Sequence, residues 1–73
     1  MNAVKSSFEY QGQTWNTYWN GKEYSGTKYI TASRPSGSEV KITASPSKGL
    51  SVGGSRSLDF GKAAYKSITG QDW

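Results

Sequence analysis

The chain has 73 residues, with nine Lys or Arg against five Asp or Glu, no Cys and no His. At this length one domain is expected, and it buries only about 60% of the surface its unfolded chain exposes, so function should sit on the surface rather than in an enclosed cavity. Without Cys or His there is no disulfide, no zinc finger, no thiol nucleophile and no imidazole general base.

Residues 4 to 44 read as strands, because β-branched and aromatic residues recur at period two between turn signals. Val4, Ser6, Phe8 and Tyr10 share one parity, Gln11-Gly12 offers a turn, and Trp15, Thr17 and Trp19 share a parity on the next segment. Asn20-Gly21 is the strongest local turn signal, since both residues tolerate the positive φ of a type I′ hairpin. It predicts that Trp15 to Trp19 folds back onto Lys22 to Tyr24, with Ser25-Gly26-Thr27 breaking or bulging the path.

The next hairpin has a definite register. A five-residue loop Arg34-Pro35-Ser36-Gly37-Ser38 sets Ser33 opposite Glu39, Ala32 opposite Val40, Thr31 opposite Lys41 and Ile30 opposite Ile42. Ile30, Ala32, Val40, Ile42 and Ala44 then share a core face, while Tyr29, Thr31, Ser33, Glu39, Lys41 and Thr43 share the other. From Ser45 to Ser55, Pro46, Gly49, Gly53 and Gly54 mark a loop, with room for a short strand at Gly49 to Val52.

Phe60, Ala63, Ala64, Ser67 and Ile68 follow the spacing of an amphipathic helix. Ser57 or Asp59 is placed to cap its start, Gly70 to end it, and Lys66 to interact with its last turn. The fold class expected is α+β, an antiparallel sheet of three to five strands over residues 4 to 52, packed on one face by a helix over 58 to 69.

The composition fits a folded but thinly cored domain. Hydrophobic residues make up only 33%, and Ser plus Gly supply 21 of the 73 residues, yet ten aromatics, three of them Trp, bring a large buried area per residue. No apolar run approaches the roughly 20 residues that span a bilayer, and the N-terminus lacks a signal peptide's apolar stretch, so a cytoplasmic protein with no membrane partner is expected. Net charge +4 and a pI near 9.5 favour acidic partners, either nucleic acid or an acidic protein face.

No catalytic constellation emerges. Glu9, Glu23, Glu39, Asp59 and Asp72 are scattered, with no pair spaced to share one local element. The Ser-x-x-Lys matches Ser25 to Lys28 and Ser45 to Lys48 fall in turn segments, where no buried Lys is available as a base. No enzymatic activity, metal or cofactor is expected. Lys48, Gly49, Gly53, Gly54, Arg56 and Lys62 surround the helix start, but Arg56 stands where a P-loop needs Gly and Ala63 where it needs Ser or Thr. That leaves either a weak site for a phosphate or carboxylate, or a Gly-rich connection flanked by solvated bases.

Trp15, Tyr18, Trp19 and Tyr24 crowd one region, and Tyr18 has the opposite parity to the two Trp, so they cannot all face one core. Trp15 and Trp19 fit the core under the helix; Tyr18, Tyr24 and Tyr29 are candidates for a contact surface. The order of elements, a small antiparallel sheet and then a helix with the segment Phe60-Gly61-Lys62-Ala63-Ala64-Tyr65, resembles the arm-binding domains of phage-type integrases and related plant-type DNA-binding domains. That resemblance implies reading of the major groove by the sheet. A basic chain of this size also fits the small proteins of phages and mobile elements that disable host machinery, anti-CRISPR proteins among them.

Two functions follow from these residues. One is an inhibitor or adaptor that engages an acidic host protein or nucleoprotein complex, and the other is direct DNA or RNA binding. The first is preferred because the cations are spread along the chain rather than gathered into a stripe. Both would use a surface drawn from Tyr18, Lys22, Tyr24, Lys28, Tyr29, Arg34, Lys41, Lys48, Arg56 and Lys62. An exposed edge strand also allows a homodimer as well as a monomer.

Overall fold

The computed structural model describes residues 3–54 and 56–73; Met1, Asn2 and Ser55, the last residue of the expected loop, lie outside them. Five strands come first, β1 Val4–Tyr10, β2 Gln13–Tyr24, β3 Thr27–Ser33, β4 Glu39–Ser45 and β5 Gly49–Val52, followed by helix α1 Leu58–Thr69. Each strand pairs antiparallel with its neighbour in the chain, giving the order β1-β2-β3-β4-β5. The architecture is α+β, with the sheet at the upper end of the expected three to five strands.

Two tight turns build the first half. Gln11 and Gly12 have φ of 51° and 76° and join Tyr10 to Gln13, and Ser25 and Gly26, with φ of 56° and 80°, join Tyr24 to Thr27. Two successive left-handed residues give a turn whose twist matches that of the strands it connects.

The expected reversal at Asn20-Gly21 does not occur. Trp19 pairs with Ile30 and Glu23 with Lys28, so Asn20, Gly21 and Lys22 stand opposite the single residue Tyr29 as a bulge within one long β2. Only Gly21 takes positive φ, 84°; Asn20 does not. Its Oδ1 instead accepts the Lys22 amide at 2.9 Å, while the indole N–H of Trp19 donates to the Lys22 carbonyl at 2.9 Å. Both bonds stabilise the bulge locally, and it adds two residues, so Trp19 and Glu23 keep the same face. Reversal is left to Ser25-Gly26, which lets β2 pair along both edges, with β1 and with β3.

The β3 to β4 hairpin has the expected register, from Ser33 opposite Glu39 to Ile30 opposite Ile42. Its loop is closed by the Arg34 amide on the Ser38 carbonyl at 3.0 Å and the Gly37 amide on the Arg34 carbonyl at 2.9 Å. At the next turn the buried Ser45 hydroxyl accepts the amides of Ser47 and Lys48. The short strand at Gly49–Val52 is formed as anticipated.

Helix α1 packs on the face carrying Trp15, Trp19, Ile30, Ala32, Val40 and Ile42, and contributes Phe60, Ala64 and Ile68 to the same core. It touches all five strands, the edge strands β1 and β5 most, so the twisted sheet curls around it. Gly70, at φ 75°, ends the helix with its amide on the Lys66 carbonyl at 2.7 Å. At the start, Ser57 occupies the capping position, but neither it nor Asp59 caps as expected. The Ser57 hydroxyl bonds to the Tyr10 hydroxyl at 3.0 Å and makes no cap bond, and Asp59, in the first turn, contributes only its favourable charge.

One polar contact ties the helix to the sheet. The Ser67 hydroxyl lies 2.8 Å from Ser6 Oγ, 3.0 Å from the Ser7 carbonyl and 3.2 Å from the buried Thr17 hydroxyl. Ser67→Ala should cost about 1–3 kcal/mol by leaving Thr17 without this partner. Urea denaturation of S67A and S67A/T17V tests this: the second change should recover part of the loss, and an S67A midpoint equal to the parent's would rule the network out as a source of stability.

Candidate functional site

Strand parity assigns each side chain to the helix-covered face or the outer one. Cross-strand pairing aligns Lys5, Tyr18, Thr31 and Lys41 in one row across four strands, and Ser7, Asn16, Ser33 and Glu39 in a parallel row. Tyr29 pairs with Thr43, which pairs with Ser51, on the same face. The outer face is therefore a field of Ser, Thr, Asn and Tyr with lysines interspersed and with Glu9 and Glu39 toward one end.

Three tyrosines stand out of it: Tyr18, Tyr24 and Tyr29 are 43%, 51% and 53% exposed. Tyr24 and Tyr29 lie with ring centroids 5.7 Å apart, tilted at 55°, and the Tyr24 hydroxyl accepts a long 3.5 Å bond from Asn20 Nδ2. Each presents an apolar ring and a hydroxyl to solvent, a combination that makes adaptable contacts at low cost in side-chain entropy.

The ten residues expected to form one surface divide into several groups. Tyr18, Tyr24, Tyr29 and Lys41 share the outer face, and the exposed Lys22 lies in the β2 bulge opposite Tyr29. Lys28 does not join them. It pairs with Ala44 and so has the parity of Ile30. Its Nζ lies 5.5 Å from the Trp19 ring centroid and 2.9 Å from Glu23 Oε2, so its charge is already compensated beside the core. That parity could be counted from the sequence, since Lys28 lies two residues before Ile30. Lys48 belongs to the β4 to β5 turn and Lys62 to the exposed side of the helix.

Arg34 and Arg56 turn toward Trp15 on the helix side. Their guanidinium carbons lie 4.9 and 4.8 Å from its ring centroid, and that of Arg56 is also 5.2 Å from the ring of Phe60. Trp15 and Trp19 are core residues, not contact residues. Lys5 and Asn16 complete the outer face and were recoverable from the same alternation that placed Tyr18.

Among the described residues there is no pocket and no cluster of three acidic side chains that could hold a metal ion. No helix among them is long and apolar enough to cross a membrane. Comparison with protein-family models, with curated proteins and with solved structures finds no match to this chain. The likeness to integrase arm-binding domains thus rests only on element order and on the helix segment Phe60 to Tyr65.

Proposed function

We propose that the chain is a non-catalytic protein-binding module, an inhibitor or adaptor of the kind used by phages and mobile elements, that docks its outer sheet face on a host protein or nucleoprotein complex. The observation that carries this reading is the chemistry of that face: three exposed tyrosines in a Ser, Thr and Asn field with charges of both signs. Tyr, Ser and Asn are the residues with which antibody loops build protein-binding surfaces, because tyrosine gives a large rigid contact and the small polar groups adapt their hydrogen bonds.

Two further points favour a protein over duplex DNA. Five strands at about 4.8 Å spacing span roughly 19 Å, wider than a major groove of about 12 Å. Glu9 and Glu39 on the same face would also meet phosphates with the wrong sign.

The test is capture of a partner from nuclease-treated host lysate by the parent chain and by a Y18S/Y24S/Y29S variant, with crosslinking to map the contact. The variant should remain folded, with a loss of at most about 1.5 kcal/mol if each exposed substitution costs up to about 0.5 kcal/mol, and circular dichroism confirms its fold before capture is compared. Loss of one contact residue worth about 2 kcal/mol weakens binding roughly 30-fold, so the triple change should abolish capture. Capture that disappears on nuclease treatment, or that is undiminished in the variant, would overturn the proposal; salt-steep binding of purified nucleic acid to the tyrosine face would replace it with the nucleic-acid reading.

A further inference from the structure

The Trp15 end of the molecule carries two arginines in an unusual setting. Arg34 extends from the β3 to β4 loop and Arg56 from the segment before α1, and the ring they share, Trp15, is only 1% exposed. Neither guanidinium has a carboxylate partner: the ion pairs among the described residues are Lys28 with Glu23 and Lys66 with Asp72. The carboxylates nearest in sequence, Glu39 and Asp59, pair with neither arginine.

Among the described residues Arg34 is held by neutral acceptors, Gln13 Oε1 on one terminal nitrogen and Ser38 Oγ, at 3.1 Å, on the other. Its Nε is buried and has no hydrogen-bond partner among the described residues. Both cations pack against one ring, and Arg34 is partly desolvated and incompletely bonded, which leaves a donor unsatisfied. Stacking on Trp15 offsets part of that cost, but it supplies no acceptor.

We infer that Arg34 and Arg56 form an oxyanion site at the Trp15 end of the sheet, and that the group it takes is a phosphate. One guanidinium fork matches the two oxygens of a carboxylate in a single plane, whereas two forks from different elements suit the tetrahedral oxygens and higher charge of a phosphate. The site is separate from the tyrosine face and does not depend on the function proposed for that face. A weak phosphate site near the helix start was one of two openings in the sequence; the folded chain substitutes Arg34, from a distant hairpin loop, for the lysines and glycines around it.

The test titrates inorganic phosphate against the full chain at constant ionic strength, with chloride as reference, following melting temperature and the arginine Nε–H NMR signals. A saturable rise in melting temperature specific to phosphate, with shifts at Arg34 and Arg56, is expected. R56Q and R34K should each weaken phosphate binding by roughly tenfold or more, since R34K keeps the charge but loses the fork. K66Q, which removes one charge elsewhere, should leave it unchanged. Arg56 is exposed, so R56Q decides the matter even if R34K fails to fold.

One oligonucleotide sequence, with and without a 5′ phosphate, then separates the sources. Binding of both strands, lost in R56Q, assigns an internal phosphodiester; binding of the phosphorylated strand alone assigns a terminal phosphate; binding of inorganic phosphate with neither strand assigns a small phosphorylated ligand. Equal stabilisation by phosphate and chloride, unchanged affinity in R56Q, or binding of an acidic peptide in place of phosphate would overturn the inference.

Discussion

Phe60→Ala is expected to leave the domain largely unfolded at 25 °C. Phe60 is 0% exposed and takes three edge-on aromatic contacts, with Phe8 at 5.3 Å, Tyr10 at 5.2 Å and Trp15 at 4.8 Å between centroids. These rings come from β1 and β2, so one helical side chain fastens α1 to the first hairpin. Truncating a buried Phe to Ala costs about 3–5 kcal/mol, and a single core in a domain this small rarely supplies more than about 3–5 kcal/mol in total. The loss therefore matches the whole stability. Near-UV circular dichroism and urea denaturation read it directly: F60A should lose its aromatic signal, whereas F60L should fold with a loss of about 1–2 kcal/mol. An F60A chain melting within about 5 °C of the parent would put the cost near 1 kcal/mol and remove Phe60 from its central place.

The second large effect runs against helix propensity. Gly61 lies inside α1, where replacement by alanine at an exposed position would stabilise by about 1 kcal/mol. Here a Cβ would sit 2.5 Å from Val52 Cγ2 and 3.2 Å from Leu50 Cδ2, because the helix backbone rests directly on β5. Val52 is β-branched and on a strand, so its methyl cannot rotate away cheaply, and relief requires helix and strand to separate. Gly61→Ala should therefore destabilise by about 1–3 kcal/mol despite the better propensity. V52A in the same chain removes the obstructing methyl, so the double variant should be more stable than the two single losses predict by addition. A G61A protein more stable than the parent would show that helix and strand separate without cost.

The residues that were legible share a reason. Alternation through Ile30, Ala32, Val40 and Ile42 fixes the β3 to β4 register, because a slip of one residue would expose every one of them. The helix is legible through Phe60, Ala64 and Ile68, which recur at one helical face and are all buried. Tyr18 could be assigned to the outer face by its parity against Trp15 and Trp19. Asn20-Gly21 was misleading because the same two residues also suit a bulge, and a local preference does not report which neighbour a strand will pair with. The packing of both Arg34 and Arg56 against Trp15 had no local signal at all, since each reaches the ring from a separate element.

By itself, the sequence determined which chemistries were excluded, which side chains alternate, and where the helix starts and stops. These are properties of residue type and of periods of two and 3.6, which a short window contains. The tertiary structure decided which of two turn signals reverses the chain and which cations face solvent, ion pairs or the core. A turn preference is worth about 1 kcal/mol, whereas keeping Trp19 buried and β2 paired along both edges involves several times that, so the larger, non-local terms prevail. Among the nine cations counted at the outset, Lys41 joins the tyrosine face, Lys28 is compensated beside Trp19, and Arg34 and Arg56 both pack against Trp15 with no carboxylate partner among the described residues.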